Sequence, residues 1–151
     1  MRLLILAVGR QKPGPLKDLE QFYAERITWP LTIREIEEKK KLTPLELKRR
    51  EAELLLAALP KNATLVALDG RGTALSSEAF AKRFDAWQTS GNDLVFMIGG
   101  AEGLDASVTT KADLILSLGA MTWPHLLARG MLLEQLYRAQ QIRMGHPYHR
   151  A

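Results

Sequence analysis

The chain contains no cysteine and no long hydrophobic run. Without cysteine, thiol nucleophiles, disulfides, zinc–thiolate sites and iron–sulfur clusters are excluded, which fits a reducing cytoplasm. The apolar segment in "MRLLILAVG" is too short to span a membrane, and no small-residue cleavage site follows it. We interpret this segment as a buried strand and expect a cytoplasmic protein.

The standard nucleotide-binding motifs are also missing. The loop "GRQKPG" has two glycines at P-loop spacing, but no Lys-Ser or Lys-Thr pair follows the second. The loop "GGAEG" lacks the G-x-G spacing of the dinucleotide fingerprint and does not follow the first strand. Internal repeats, low-complexity segments and linkers are absent too, and 46% of the 151 residues are hydrophobic. We therefore expect a single domain spanning residues 1–151, with one core.

Short apolar runs alternate with helical patterns along the chain. The predicted strands are Leu3–Val8, Leu31–Ile36, Thr64–Leu68, Asp93–Ile98 and Asp113–Leu118. The predicted helices are Leu16–Arg26, Pro44–Leu59 behind the capping residue Thr43, one that buries Phe80, Phe84 and Trp87, and one from Pro124 to about Met144. This alternation predicts an α/β fold: a mostly parallel sheet of five to six strands with helices on both faces. Ligands of such sheets bind beyond the carboxyl ends of the strands.

Two of the loops after strands suit a ligand. The segment "SLGAMTWPH" passes small residues that expose backbone groups, which can hold an adenine edge and a ribose without charged side chains. Gly99, Gly100 and Gly103 let a ligand approach the backbone, although a tight turn explains these glycines equally well. His125 opens the last helix, where it is more typical of a surface or capping residue than of a catalyst.

The net charge of +4 is concentrated in the last quarter of the chain. From Leu114 onward there are four arginines and one acidic residue: Arg129, Arg138, Arg143 and Arg150 against Glu134. Arginine suits phosphate better than lysine does, but a solvated helix face is an equally good interpretation. The final segment "RMGHPYHRA" adds two histidines and a tyrosine. Gly145 and Pro147 are expected to end the helix and to send this tail away in an extended form.

Five segments in order carry a family resemblance: "LDGRG", "IGGAEG", "LSLGAMTWPH", "LLEQLYRA" and "HPYHR". Together they resemble the ribosomal RNA large subunit methyltransferase H family, of the SPOUT class, over essentially the whole chain. Ala101 stands where a proline is usual. Gly119, Met121 and Trp123 vary a segment that more often reads "SALTLPH".

The resemblance implies transfer of methyl from S-adenosylmethionine, without a metal, to N3 of a pseudouridine in 23S rRNA of the assembled ribosome. It also implies a C-terminal trefoil knot and a homodimer whose active sites use residues of both subunits. The positions that match the family's cofactor-binding residues are Leu68, Gly100, Leu118, Gly119, Ala120, Met121, Thr122 and Trp123. The candidate catalytic residues are Glu134, Arg138, Tyr148, His149 and Arg150.

Simpler interpretations exist for several of these residues. Leu68 can be plain strand core, Glu134 and Arg138 can form a surface pair, and the tail can be a frayed terminus. The alternative function is a noncatalytic ribosome-associated factor that clamps RNA with its basic end. A nucleotide-binding enzyme of the doubly wound type is disfavoured by the missing fingerprints.

Two further expectations concern specific positions. A valine at Gly100 is expected to fill the cofactor space while leaving the fold intact. Met131, Leu132, Leu133 and Leu136 give the last helix more apolar surface than packing on a sheet requires, which favours a two-fold partner.

Overall fold

The computed structural model describes all residues from 1 to 151. Its strands are β1 (Leu3–Val8), β2 (Leu31–Ile36), β3 (Thr64–Ala74), β4 (Leu94–Ile98) and β5 (Leu114–Ser117). Its helices are α1 (Pro15–Ala24), α2 (Pro44–Ala57), α3 (Ser77–Ser90), α4 (Ala106–Thr109) and α5 (His125–Arg143). No helix combines the length and the apolar character needed to cross a membrane.

The five strands form one sheet in the order β2-β1-β4-β3-β5, and every neighbouring pair is parallel. The predicted α/β class with a mostly parallel sheet is therefore confirmed. Because all strands run in one direction, their carboxyl ends meet at a single edge of the sheet. The loops that follow the strands are thereby brought together at that edge.

Helices cover both faces of the sheet, and the side chains of β1 show how. Leu3, Ile5 and Ala7 belong to a core that includes residues of α3 and α5, whereas Leu6 and Val8 belong to a second core with residues of α2 and α4. This division follows from the alternation of side chains along a strand. Strands buried on both faces read as continuous apolar runs, as β1 and β4 do.

The helix starts follow their capping residues. The Thr43 hydroxyl accepts a hydrogen bond from the Glu46 amide at 3.2 Å, and Pro44 occupies the first helical position of α2. Ser76 caps α3 in the same way, through the Ala79 amide at 3.1 Å. These caps confirm the predicted start of α2 and define that of α3.

Strand β3 is longer than predicted. After Leu68 the segment "DGRG" reads as a turn, yet the register shifts there and Thr73 and Ala74 pair again with β5. Gly72 permits this pairing, because a Cβ atom on it would lie 2.4 Å from the Ile115 carbonyl oxygen. The short helix α4 was also not predicted.

The leucines proposed as a partner surface are not available to a partner. Leu132, Leu133 and Leu136 are each 0% exposed and belong to the core of this chain. The three leucines therefore give no support to a dimer, because they pack on the chain's own sheet; Met131, named with them, is half-buried, and the dimer stays a prediction.

Candidate active site

A cleft of about 900 Å³ lies at the carboxyl ends of β3, β4 and β5. Its walls are the loops that follow these strands, together with the start of α5. All the residues predicted to bind a cofactor line it: Leu68, Gly100, Leu118, Gly119, Ala120, Met121, Thr122 and Trp123. Leu68 also packs against the main core, so its strand-core role and its place in the cleft are compatible.

Several lining residues were missed by sequence reasoning. They are Lys48, Asp69, Arg71, Glu102 and Ala128, among others; His125, interpreted from the sequence as a surface or capping residue, lines the cleft as well. Asp69, Arg71 and Glu102 lie inside segments already singled out, so their side chains could have been counted as candidates. Lys48 comes from α2, far away in sequence, and only the packing of α2 against the sheet brings it to the cleft.

The loop after β5 is held by its own hydrogen bonds. The Ser117 hydroxyl accepts from the Gly119 amide at 3.1 Å and lies 3.2 Å from the Gly70 carbonyl oxygen, to which it can donate. Gly119 has φ of +116°, a conformation that favours glycine. The indole N–H of Trp123 donates to the Leu118 carbonyl at 3.3 Å. Thus two of the residues that depart from the family pattern, Gly119 and Trp123, fix the shape of the loop.

Gly100 lines the cleft with its backbone, but a side chain at this position would point into the protein interior. A Cβ atom there would lie 2.9 Å from Val8 Cγ1 and 3.3 Å from a carboxylate oxygen of Glu51. Gly100→Val would crowd the side chains of Val8 and Glu51, so a loss of donor binding in this variant could come from displaced packing as well as from a filled cleft. Gly100 therefore serves the close packing of the loop on the core.

The carboxyl group of Glu51 is buried beneath this glycine loop. Its Oε1 has no hydrogen-bond partner, and the residue is 7% exposed. Burial raises the pKa of Glu51, and the nearby Glu102 carboxylate raises it further.

Glu134, Arg138, Tyr148 and His149 form a second cluster, on α5 and the tail. Arg138 Nη2 donates to Glu134 Oε1 at 2.6 Å, and the Tyr148 hydroxyl donates to the same oxygen at 2.9 Å. Arg138 Nη1 lies 3.1 Å from His149 Nδ1, and His149 Nε2 lies 2.8 Å from Glu78 Oε1. An arginine can only donate, so Nδ1 accepts and Nε2–H donates to Glu78.

The tail turns back onto α5 and does not leave in the expected extended form. The His146 amide donates to the Gln141 carbonyl at 2.9 Å, and the Tyr148 ring meets the Tyr137 ring edge-on with centroids 4.8 Å apart. Burial first, and then hydrogen bonds with Tyr23 and Glu134, raise the pKa of Tyr148. Tyr148 therefore keeps its proton at neutral pH and acts as a hydrogen-bond donor. Arg150 is exposed and forms no ion pair.

The two groups of predicted residues do not meet within the chain. None of the candidate catalytic residues lines the cleft. Glu134 instead lines a second cavity, of about 440 Å³, next to α1, α3 and α5. Leu116, Leu118 and Gly119 line both the cleft and this cavity, so the end of β5 and the loop after it separate the two.

Arg129 has a structural role and is not available to phosphate. It is 1% exposed, and its guanidinium donates to Glu35 Oε2 at 2.6 Å and to the carbonyls of Val8 and Gly9 at 3.1 and 2.9 Å. Although burial acts to raise the pKa of Glu35, hydrogen bonds from Arg129 and from the Gln11 amide lower it below its ordinary value. Burial, with a smaller effect of Arg129, lowers the pKa of His125 at the rim of the cleft.

The other arginines in the last quarter of the chain differ in whether they are free to bind phosphate. Arg138 pairs with Glu134, and Arg143 Nη2 lies 3.1 Å from Asp85 Oδ1. Only Arg150 is free of an ion pair. Of the two interpretations of this arginine-rich region, phosphate binding is therefore open to Arg150 alone, because carboxylates already pair with the other three arginines.

Comparison with known proteins identifies a family and several relatives to which this chain is similar. A family described as "Predicted SPOUT methyltransferase" matches residues 1–149. The ribosomal RNA large subunit methyltransferase H of Rhodospirillum centenum is 58% identical over 152 aligned residues, covering 100% of both chains. The protein of the same name from Paramagnetospirillum magneticum is 53% identical and covers 99% of each chain.

Two solved structures share the fold at low identity. The SpoU methyltransferase AviRb from Streptomyces viridochromogenes, in complex with the cofactor AdoMet, has a TM-score of 0.50 and 18% identity over 93% of this chain and 58% of that chain. A probable methylase family protein from Haemophilus influenzae has a TM-score of 0.57 and 11% identity, over 99% of this chain and 70% of its own.

Proposed function

The chain belongs to the SPOUT methyltransferases, in the ribosomal RNA large subunit methyltransferase H family, and from this premise we propose that it methylates N3 of a pseudouridine in 23S rRNA. S-adenosylmethionine is the methyl donor and the assembled ribosome, in the cytoplasm, is the substrate. The observation that carries the proposal is the cleft in which all the residues matching the family's cofactor positions come together. Residues 1–151 act as a single SPOUT domain with the family's C-terminal trefoil knot.

The residues of the cleft fit this donor. S-adenosylmethionine supplies an electrophilic methyl carbon on a sulfonium, which needs orientation more than it needs a covalent enzyme intermediate or a metal. The side chains of Leu68 and Ala128 form an apolar part of the cleft wall. The loop from Leu118 to Trp123 has backbone hydrogen-bond donors and acceptors that can bind an adenine edge. The carboxylate of Glu102 lines the same cleft and suits the cationic part of the donor, whereas that of Asp69 is paired with Arg71 at 2.9 Å.

The tail cluster fits the other half of the reaction. N3 of a pseudouridine must lose its imide proton before it can attack, because its lone pair is otherwise conjugated with the flanking carbonyls. Arg138 N–H groups and the Tyr148 hydroxyl can stabilise the resulting anion. His149 can relay the proton, and Arg150 is free to contact phosphate.

We infer that the two halves combine across a homodimer, with the tail cluster of one subunit facing the cofactor cleft of the other. The separation of the two groups within the chain supports this arrangement. It can be tested by mixing two inactive variants. Ala120→Trp places a bulky side chain in the cleft from an exposed position, and deletion of residues 148–151 removes the tail.

Neither variant alone should methylate ribosomes. If sites are shared, heterodimers in an equimolar mixture regain one intact site each, so about a quarter of the wild-type activity returns. If each site lies within one chain, the mixture stays inactive and the shared site is refuted. Ala57→Trp, an exposed position on α2 outside the cleft, is the control and should retain full activity.

The reaction itself is tested by mass spectrometry of 23S rRNA from ribosomes incubated with the protein and isotopically labelled S-adenosylmethionine. A labelled methyl group at N3 of a pseudouridine supports the proposal. Binding of ribosomes without any transfer, and without micromolar binding of the donor in calorimetry, would instead support the noncatalytic RNA-binding alternative.

A further inference from the structure

We propose that the loops after β1 and β2 form a second RNA-binding surface, which docks phosphates of the substrate beside the cofactor cleft. This surface, called the basic edge below, consists of Arg10, Lys12, Lys39, Lys40 and Lys41. The proposal rests on the proposed function, because it assigns a contact of that same substrate.

The two loops leave the sheet side by side. Val8 and Ile36 are paired at the ends of β1 and β2, and the Gly9 amide donates to the Ile36 carbonyl at 2.8 Å. Both loops therefore start at the sheet edge that also carries the cleft. A Cβ atom on Gly9 would lie 3.3 Å from His125 Nε2, and His125 lines the cleft, so the first loop adjoins the cleft wall.

The charge of these loops is open to solvent. Residues 9–14 contain Arg10 and Lys12 and no acidic residue, and both cations are exposed. Lys39, Lys40 and Lys41 are exposed as well. Of the two acidic residues before them, Glu38 is held by Arg50 at 3.1 Å and Glu37 is exposed, so the three lysines outnumber the one unpaired carboxylate. None of the five cations of the basic edge takes part in an ion pair.

The first loop is held rigidly by buried polar contacts. Gln11 is 6% exposed, its side chain donates to the Leu126 carbonyl at 2.9 Å, and its amide donates to Glu35 Oε2 at 2.6 Å. Arg129 fixes Glu35 in turn. Because Gln11 points inward, the flanking Arg10 and Lys12 stand outward from a fixed backbone. Fixed cations lose less entropy when they bind a phosphate than cations on a mobile loop do.

The basic edge supplies the unpaired cations that the last quarter of the chain lacks. Of the arginines in the last quarter of the chain, Arg129 is buried and two others are paired, which leaves Arg150 as the free cation there. A polyanion the size of a ribosomal RNA needs more phosphate contacts than that to dock against physiological salt. Five cations without ion pairs, of which Arg10 and Lys12 lie on the loop that adjoins the cleft wall, meet this need, and their density favours the RNA backbone over an acidic protein.

The test compares Arg10→Ala/Lys12→Ala with a control that removes the same charge elsewhere. The control is Lys61→Ala/Lys111→Ala, two exposed lysines that precede β3 and β5 at the opposite edge of the sheet. Methyl transfer is measured against ribosome concentration at several salt concentrations, and donor binding is measured by calorimetry.

We expect the KM for ribosomes to rise on the order of tenfold in Arg10→Ala/Lys12→Ala, with kcat and donor affinity unchanged. The magnitude of the slope of log affinity against log salt should fall by about 1.4–1.8, since each of the two lost phosphate contacts contributes about 0.7–0.9. The control should stay within twofold of wild type. An unchanged KM, an equal loss in the control, or a fall confined to kcat would each overturn the proposal.

Direct binding separates this proposal from the reaction chemistry. Sedimentation with ribosomes and filter binding of protein-free 23S rRNA should both weaken in Arg10→Ala/Lys12→Ala, even if the wild-type protein were to transfer no methyl group. Weaker binding to ribosomes with unchanged binding to protein-free 23S rRNA would point to a ribosomal protein as the partner and would overturn the RNA assignment.

Discussion

Replacing Arg129 by methionine should destabilise the fold strongly. The guanidinium is 1% exposed, and it donates to Glu35 and to the carbonyls of Val8 and Gly9. Methionine fills similar volume but leaves the buried part of Glu35, and Glu20 at 3.9 Å, without their cation. Removing one partner of a buried ion pair costs about 3–5 kcal/mol, which is a large share of a typical stability of about 5–15 kcal/mol.

The effect can be read as a shift in the urea midpoint. With a slope of about 2 kcal/mol per molar urea, the midpoint should fall by roughly 1.5–2.5 M. Far-UV circular dichroism at one fixed chain concentration is the appropriate measurement, because the stability of the proposed dimer would depend on concentration. Adding Glu35→Gln to Arg129→Met should recover part of the loss, since the two residues are directly coupled.

Arg143→Met provides the comparison. Its ion pair with Asp85 lies at the surface, and such pairs contribute about 0–1 kcal/mol. If Arg129→Met shifted the midpoint no further than Arg143→Met, the network around Arg129 would not anchor the first loop, and the structural role assigned to it would fail.

Two other substitutions test the packing around the cleft. Glu51→Gln should stabilise the protein at pH 7 more than at pH 4. Because the pKa of Glu51 is raised in the folded protein, the wild type loses stability as the pH rises from the ordinary pKa near 4.5 through the folded-state pKa. Glutamine does not ionise, so the variant does not suffer this loss. Urea unfolding at both pH values is the check, and a pH-independent difference would contradict it. Gly72→Ala should cost about 1–3 kcal/mol, because its Cβ would lie 2.4 Å from the Ile115 carbonyl oxygen, whereas Gly70→Ala, with no atom within 4 Å, should be nearly neutral in the same measurement.

The sequence predicts which residues come together in this cleft because each of the segments concerned is local, while their binding of the cofactor stays a prediction. Leu68, Gly100 and the segment from Leu118 to Trp123 each follow a strand that is recognisable from its apolar run, and a parallel sheet necessarily gathers such loops at one edge. Family resemblance then assigns a ligand to the loops. No residue distant in sequence has to be placed for this inference to succeed.

The features that sequence reasoning missed depend on distant contacts. From the sequence alone, Arg129 would be taken for a surface cation. Its hydrogen-bond acceptors, the carbonyls of Val8 and Gly9, are about 120 residues away in the chain and become its neighbours only when α5 packs beside β1. The leucines of α5 read as surplus apolar surface until the sheet is placed beneath them. Likewise "DGRG" reads as a turn, because only the position of β5 shows that Thr73 pairs again. A sequence shows which side chains are charged or apolar, but it does not show which neighbours pair with the charges or cover the apolar surface in the folded chain.

The position of the tail bears on how a shared active site would work. Tyr148 and His149 are held by Glu134, Arg138 and Glu78 of the same chain. Carrying the tail to the cofactor cleft of its own chain would break these contacts and separate Tyr148 from Glu134 and Arg138, which are fixed on α5. A partner subunit that brings its cleft to the tail keeps the whole cluster assembled. A shared site therefore requires association alone, whereas a site within one chain requires the cluster to be dismantled before the reaction it serves.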